Sequence, residues 1–492
     1  MSEAIAGIPP APPPARPRDA AAVILWREGP EGREVFWVRR GEGLRFAGGF
    51  YAFPGGRLDD EDRRVPVPGL AGEEAALVAA ASRELFEEAG VLLARGAERL
   101  DPAARDEGRR ALLDGSLAFA DLLFREGLAL EPALLSPAGR WVTPEFFPVR
   151  FDARFYLARL PEGQEARVWP GELASGEFIP TRRALELWER GEALLHPPNW
   201  WGISALDRAE PSKALALLRE PPRDILIEFQ RGVVLAPLRT PTLPPATHTN
   251  CWLLDLGDGV AVVDPGSPDP GEQGRLEALL EKMAQEGRPA REVWLTHHHG
   301  DHVGGASRLA ALGLPVRAHP ETASRLGGSV AATPLSDGDL LHGRWQVLHT
   351  PGHAPGHLVF LDRATRALVA GDMVSTVSTV VIDPPEGDMG AYLRQLERLR
   401  DLGARTLYPA HGAPAPSATA KLEEYLGHRR MRTEKVLRAL SPGGTLAEVT
   451  RAAYDDTPPF LLPVAERSCL ATLIMLRGEG LARQVGEGWA GG

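Results

Sequence analysis

The stretch Leu295-Thr296-His297-His298-His299-Gly300-Asp301-His302 decides how this chain reads. It follows an apolar strand signal at 293–295, so a tight loop at a strand end carries several side chains toward one cleft. Imidazole nitrogens and carboxylate oxygens are the donors that zinc accepts, three or four to an ion. HxHxDH supplies four of them within six residues: His297, His299, Asp301 and His302. Downstream come Thr350-Pro351-Gly352-His353, Gly371-Asp372 and Pro409-Ala410-His411-Gly412, each after its own apolar run. Strand ends are where an α/β fold gathers its active site. The bland reading of any one histidine is a surface or core residue, and it holds for His248, His298 and His319. His357, four residues after His353, reads equally as a support behind a ligand. Seven ligands in order at successive strand ends do not admit the bland reading, and they are too many for one tetrahedral ion.

HxHxDH, TPGHxxGH, GD and AHG occur here in the order of the metallo-β-lactamase superfamily, and the resemblance covers roughly 230–414. Asp264 in Val263-Asp264-Pro265-Gly266 matches the family's first motif. The resemblance implies an αββα sandwich holding two Zn2+. His297, His299 and His353 would hold one ion and Asp301, His302 and His411 the other, with Asp372 bridging and Asp301 counted among the catalytic groups. Such a pair of ions activates water against an electrophilic centre. His353 and Asp372 are 19 residues apart, and Asp372 and His411 are 39 apart, too close for a large nucleic-acid-clamping insertion. A carboxylate at Asp372 resembles the thioesterase-like members, which argues against antibiotic hydrolysis.

Further out, Gly427-His428-Arg429-Arg430-Met431-Arg432 and a helical tail ending in two short strands resemble the lactamase-like endoribonuclease family known from mitochondria. Single-stranded RNA is the substrate this tail favours. Arg429, Arg430, Arg432, Lys435 and Arg438 would face the backbone, with Tyr425 and Tyr454 as stacking platforms. A thioesterase of hydroxyacylglutathione hydrolase type is the alternative, and an arginine face that only packs on the main domain explains the tail equally well. Thr445-Leu446-Ala447-Glu448 predicts a capping box, and a longer helix is expected over 464–477.

Upstream, prolines at 221, 222, 237, 241, 244 and 245 read as a connector. The chain divides into a disordered tail at 1–18, a first domain at 19–215, a connector with a leading strand at 216–250, the metal domain at 251–414 and a winged-helix-like domain at 415–492. In the first domain, runs at 22–26 and 35–39 flank Gly29-Pro30-Glu31-Gly32 as a hairpin. A helix over 73–90 carries Arg83-Glu84-Leu85-Phe86-Glu87-Glu88-Ala89-Gly90. Its Glu84, Glu87 and Glu88 stand at i, i+3 and i+4, on one helix face. One arginine cannot neutralise three carboxylates; a divalent cation with oxygen preference would.

That run, with Val91, resembles the core of the Nudix box, REUxEExGU with U aliphatic. Phe53-Pro54-Gly55-Gly56-Arg57-Leu58-Asp59, Trp141-Val142-Thr143-Pro144 and Arg150-Phe151-Asp152 are similar to the subgroup containing peroxisomal coenzyme A diphosphatases. The chain departs from the box in two ways. Gly56 and Arg83 are 27 positions apart, about twice the usual gap, and the glutamate expected eight before Arg83 is Ala75. The resemblance implies an α/β/α sandwich with Mg2+ or Mn2+ on Glu84, Glu87 and Glu88. Arg83 would orient the carboxylates, Gly55 and Gly56 would form the adjoining loop, and a small-molecule diphosphate would be the substrate. Glu172 and Glu177 are weak candidates for the base. The whole is an α/β and α+β multidomain chain: a bifunctional hydrolase, or a hydrolase whose Nudix part is a non-catalytic sensing module.

Bulk properties fit that frame. Of 492 residues, 55 are basic and 66 acidic, a formal net charge of −11, so no global basic footprint for nucleic acid exists. Cys251 and Cys469 are the two cysteines, and without a CxxC they imply neither a disulfide framework nor a cysteine zinc site. No secretory signal and no bilayer-spanning run is read, which makes the cytoplasm the expected location.

Overall fold

The computed structural model describes residues 13–44, 47–169, 171–222, 224–328 and 330–492. It separates into two compact units, Pro14–Arg231 and Gly232–Gly492. Most of the expected tail at 1–18 lies outside the described residues, and a strand already begins at Arg18.

In the first unit the strand Arg18–Gly29 is central. It pairs antiparallel with Gly32–Arg40 through the expected hairpin, parallel with Phe151–Arg159, and antiparallel with Gly55–Arg57. Side chains alternate across a strand, and here both faces are apolar. Val23, Leu25, Phe36 and Val38 pack with Leu77, Ala80, Leu85 and Phe86 of the helix Gly72–Ala89. Ile24, Val35 and Trp37 pack on the other face with Trp188 and Ile203, from the helices Thr181–Glu189 and Pro197–Arg208. Helix, sheet and helix thus form three layers. Gly90 ends the first helix in the left-handed region, φ 72°, where its N–H reaches the Phe86 carbonyl.

Within the stretch read as a connector with a leading strand, 216–250, one compact unit ends at Arg231 and the next begins at Gly232. The helix Pro211–Arg219 runs into this stretch from the first unit, and the strand Val233–Arg239 pairs antiparallel with His248–Asp255 along its whole length. Pro237 sits within that strand, Pro241, Pro244 and Pro245 lie in the loop 240–247, and Pro221 and Pro222 precede both strands. A proline in a strand removes one N–H from the ladder, and the sheet tolerates that loss at Pro237.

The second unit has two sheets. In one, Val233–Arg239, His248–Asp255 and Val260–Val263 run antiparallel, and Ala290–Trp294, Val316–Ala318 and Ala332–Pro334 continue in parallel. In the other, Leu340–Leu341, Trp345–His349, Leu358–Asp362 and Ala367–Gly371 are antiparallel, and Thr406–Pro409 is parallel to the last. The sheets meet through aromatic contacts, with Trp294 5.0 Å from Phe360 and Trp252 5.0 Å from Tyr408. Helices Pro270–Gln285 and Met389–Asp401 cover the two outer faces, which gives the expected αββα layering.

The tail is a winged helix. Ala418–Ala439, Leu446–Ala453 and Leu462–Gly478 surround Val436, Val449, Cys469, Leu473 and Trp489, and the strand pair Ala482–Val485 and Gly488–Gly491 closes on Gly444–Thr445. Thr445 and Glu448 form the reciprocal capping box. One expectation is corrected here: by length and apolarity, Pro459–Gly478 could cross a bilayer. Its apolar residues Leu473 and Leu476 are instead buried against the tail core.

Candidate functional site

The second unit brings the seven expected ligands together. Each lies just beyond a strand: His297 to His302 after Ala290–Trp294, His353 after Trp345–His349, Asp372 after Ala367–Gly371 and His411 after Thr406–Pro409. The loop after Val260–Val263 must pass close beneath them. A Cβ on Gly266 would lie 1.8 Å from the Asp301 carbonyl oxygen, so only glycine fits there.

The donor atoms form two clusters. His299 Nδ1 stands 2.9 Å from His297 Nε2 and 3.0 Å from His353 Nε2. Asp301 Oδ2 stands 4.0 Å from His302 Nε2 and 3.6 Å from His411 Nε2. Asp372 spans them, with Oδ2 3.5 Å from His353 Nε2 and Oδ1 3.7 and 3.5 Å from His302 and His411 Nε2. Donors roughly 3.3 Å apart are what a tetrahedral zinc with bonds of about 2.0–2.1 Å requires. Among the described residues, buried His302 Nε2 and Asp372 Oδ1 have no hydrogen-bond partner. Orphaned buried polar atoms are costly, and here both aim at the same point. The donor set fits two divalent cations.

Electrostatics agree. Burial, and then the crowd of neighbouring imidazoles, hold His297 well below the usual histidine range; burial and His353 take His299 down to about 2. Those rings keep their lone pairs. Burial works against charge on Asp372, yet His411 and His302 overcome it and hold the carboxyl well below its usual range. Burial likewise opposes charge on His302, and Asp372, Asp301 and Asp264 overturn it. Three carboxylates around one ring call for the positive charge that a cation supplies.

Outer partners fix which nitrogen points inward. A carbonyl only accepts, so His353 donates Nδ1–H to Val381 O at 2.9 Å and His411 donates Nδ1–H to His248 O at 3.0 Å. Asp264 accepts from Thr296 N and Oγ1 and from His302 Nδ1. Thr296 Oγ1, with its proton on Asp264, can accept from His297 Nδ1 at 3.0 Å. Every ligand histidine except His299 therefore presents Nε2. His357 is no ligand: its Nε2 accepts the Asp372 N–H at 3.0 Å, and its Nδ1 stands 2.8 Å from Thr350 Oγ1. His298 stands at the edge, 3.1 Å from Glu386. His319 caps a helix and stacks on His349 at 4.0 Å.

The tail does not present the arginine surface expected of it. Tyr425, Arg429, Arg432 and Tyr454 are buried. Arg429 donates to Val380 O, Arg432 to Ala453 O and Asp456, and Lys435 pairs with Asp455 and Asp456. Only Arg430 and Arg438 of the expected set are exposed. Tyr425, Arg429, Arg432 and Val436 share one helical face at i, i+4, i+7 and i+11, and that face is turned into the protein. The reading of residue types along 427–432 missed this periodicity.

In the first unit the three glutamates share a helix face beside the Gly55-Gly56 loop. Glu88 Oε2 accepts the Gly55 N–H at 2.9 Å, and a Cβ on Gly56 would lie 2.4 Å from Glu84 Oε1. Burial raises Glu84 to about 7 and Glu88 to about 8. Arg83 Nη1 reaches Glu84 at 2.9 Å and Glu87 at 3.0 Å. Arg109, buried, donates to the Glu87 and Glu88 carbonyls and so closes the helix end. The three carboxylates do not converge as closely as the histidine clusters do: among the described residues, every group of three or more donors within 4.8 Å lies in the second unit. Glu172 is largely exposed and pairs with Arg40, and Glu177 is exposed on its strand. Asp62, which the sequence reading passed over, is 1% exposed and holds Arg83 from the far side.

Comparison with known proteins gives family matches in the second unit. The family described as "Metallo-beta-lactamase superfamily" matches residues 244–411, and "Beta-lactamase associated winged helix domain" matches 445–489. A "Beta-lactamase-like protein 2 homolog" from Caenorhabditis elegans is 30% identical over 43% of this chain and 72% of its own length. A "Lactamase-like protein" from Aspergillus niger is 33% identical over 39% of this chain; the chain spans 58% of that relative's length. The crystal structure of a NUDIX hydrolase from Alicyclobacillus acidocaldarius is 33% identical, covering 42% of this chain and 99% of that one, with a TM-score of 0.38.

Proposed function

The chain belongs to the metallo-beta-lactamase superfamily, and we propose that it is a two-headed hydrolase: a binuclear zinc thioesterase in the second unit and a Mg2+- or Mn2+-dependent diphosphatase in the first. The observation that carries the proposal is the Asp372 carboxylate, one oxygen toward His353 and the other toward His302 and His411. His297, His299 and His353 would hold one cation, and Asp301, His302 and His411 the other. Bound there, the pair would supply Lewis acidity and a water acidic enough to attack at neutral pH. The chain's own part is to hold His297 and His299 neutral by burial, to aim the imidazoles through Val381, His248, Thr296 and Asp264, and to keep the Asp372 carboxylate ionised between the clusters. Asp301, beside the shared position, can orient a water hydrogen.

A thioester is preferred over single-stranded RNA because Tyr425, Arg429, Arg432 and Tyr454, four of the seven residues that spoke for RNA, are buried. RNA binding needs exposed backbone contacts and stacking platforms, and the net charge of −11 offers no substitute. The test is hydrolysis of acyl thioesters and of single-stranded RNA by the purified protein, with His353→Ala as background. Thioester turnover above that background supports the reading; RNA cleavage above it, without thioester turnover, overturns it.

In the first unit, Glu84, Glu87 and Glu88 would hold the cation against the diphosphate of coenzyme A or of a nucleoside diphosphate derivative. A second reading, a ligand-sensing module without catalysis, is favoured by one fact: Arg83 already engages Glu84 and Glu87. Metal-dependent release of a phosphomonoester from such a substrate, lost in Glu87→Gln, separates the two.

A further inference from the structure

We infer that Trp169, with Arg110 and Arg167 at its rim, is the surface on which the first unit binds the nucleoside end of its substrate. An aromatic base would lie on the indole, and a phosphomonoester on the nucleoside would lie between the two arginines. The inference deepens the diphosphatase reading of the first unit and rests on it for where the diphosphate sits. Three guanidinium groups converge on this one ring: Arg109 stands 4.4 Å from its centroid, Arg110 5.6 Å and Arg167 6.0 Å. Arg109 is 1% exposed, so the face it covers is the inner one. Backbone carbonyls fix it there, those of Glu87, Arg167 and Glu88 at 3.0, 2.7 and 2.8 Å. The acids that act on it, Asp106 and Glu88, are bonded elsewhere, Asp106 to Arg167 at 2.6 Å and Glu88 to the Gly55 N–H at 2.9 Å. Burial pulls the Arg109 guanidinium down to about 10.

Packing accounts for Arg109 but not for Arg110. Arg110 is exposed on the helix Pro102–Leu113, and its guanidinium has no hydrogen-bond or ion-pair partner among the described residues. Positive charge is thus in excess beside a half-buried indole. A guanidinium beneath an indole holds the ring in place, and a fixed ring is a platform on which a base stacks with little regard to which base it is. Arginine pairs with phosphate through parallel N–H donors. Together they match a nucleotide. The surface also stands where the diphosphate reading needs it. Arg167 donates its N–H to the Ala89 carbonyl at 2.8 Å, at the end of the carboxylate helix. Past Trp169, Glu172 acts on Glu88, and its carbonyl accepts the Gly41 N–H at 2.9 Å. Trp169 therefore belongs to a segment that is tied to the helix end on one side and reaches the glutamates on the other.

Isothermal titration calorimetry on zinc-loaded full-length protein, without added Mg2+ or Mn2+, tests this with adenosine 3′,5′-bisphosphate, adenosine and inorganic phosphate as probes. The bisphosphate should bind about tenfold or more tightly than either adenosine or phosphate, because it engages ring and arginines together. Trp169→Ala and Arg110→Gln should each weaken it about fivefold or more. Arg182→Gln, at a side chain 85% exposed on another helix, should leave it unchanged. Arg110→Gln alters only an exposed side chain, so it decides the matter should Trp169→Ala fail to fold. Phosphate bound as tightly as the bisphosphate would make this an anion surface without a base platform and overturn the inference. So would no binding at all, or binding unchanged in Arg110→Gln. Diphosphate cleavage is read on the same preparations. Nucleotide binding with the expected pattern but no cleavage keeps the nucleotide surface and overturns the diphosphatase reading. Cleavage whose KM is the same in the unaltered protein, Trp169→Ala and Arg110→Gln keeps the diphosphatase and overturns the nucleotide surface.

Discussion

Arg429 donates to the carbonyl oxygen of Val380, and the next carbonyl, that of Val381, receives the His353 Nδ1 hydrogen at 2.9 Å. The winged-helix tail thus grips the loop that orients a metal-site histidine. The grip is repeated along the loop. Tyr425 Oη accepts the Ser375 N–H at 2.8 Å and lies 2.7 Å from the Ser375 and Ser378 carbonyls, while Ser468 Oγ accepts the Ile382 N–H at 3.2 Å.

Tyr425→Phe keeps the ring and removes the hydroxyl. Leaving these buried backbone groups without a partner costs about 1–3 kcal/mol, and the loop 375–383 should loosen. The expected outcome is a lower melting temperature with zinc lost from the His353 side, read as zinc per chain after dialysis against a weak chelator. Arg430→Ala, at an exposed residue of the same helix, should change neither. Equal zinc retention in Tyr425→Phe and Arg430→Ala would show that the tail does not support the centre.

The metal ligands were legible because each follows an apolar strand and because imidazole and carboxylate at that spacing have few other uses. What escaped the sequence depended on contacts between distant segments. Asp62 and Arg83 are 21 residues apart and meet only because the intervening segment turns back on the helix. Arg429 looks like any surface arginine until its helix is docked with Tyr425, Arg432 and Val436 on the inner face. A leading strand is expected within 216–250, but its bounds, Val233–Arg239, are set only by its pairing with His248–Asp255.

Asp372→Ala should remove the carboxylate whose two oxygens face the two clusters. Zinc content should fall from about two per chain, and hydrolysis by the second unit should fall by about 100-fold or more. Elemental analysis of the unaltered and altered proteins checks this. A single tightly held ion in fully active unaltered protein would contradict the binuclear centre.

Glu87→Gln and Glu88→Gln should abolish Mg2+-dependent diphosphate cleavage and leave thioester turnover within about twofold, since the two ligand sets lie in separate compact units. Parallel assays on one preparation of each variant are sufficient. If both activities vanished while the far-ultraviolet circular dichroism stayed unchanged, the sites would be coupled, and the sensing reading of the first unit would replace the diphosphatase one.

His196 makes the first unit acid-sensitive. Its ring is buried among Phe50, Phe147 and Phe229, with centroids at 4.6, 6.1 and 5.3 Å. Burial, with a contribution from Arg40, lowers its pKa from 6.5 to about 4. Above pH 6.5 the ring is neutral folded or unfolded, so it adds no pH dependence. Between about 6.5 and 4 the unfolded chain takes up a proton that the folded unit refuses, so stability falls as pH falls. Below about 4 both states are protonated and the loss levels off. A shift of this size amounts to about 3 kcal/mol across the window. His196→Phe, which keeps an aromatic ring among the phenylalanines, should remove about one proton from the pH slope of the unfolding free energy of this unit, whatever it does to stability at pH 7.5. Urea unfolding followed by tryptophan fluorescence at pH 7.5, 6.0 and 5.0 measures that slope, and parallel slopes in the two proteins would assign the acid sensitivity to other groups.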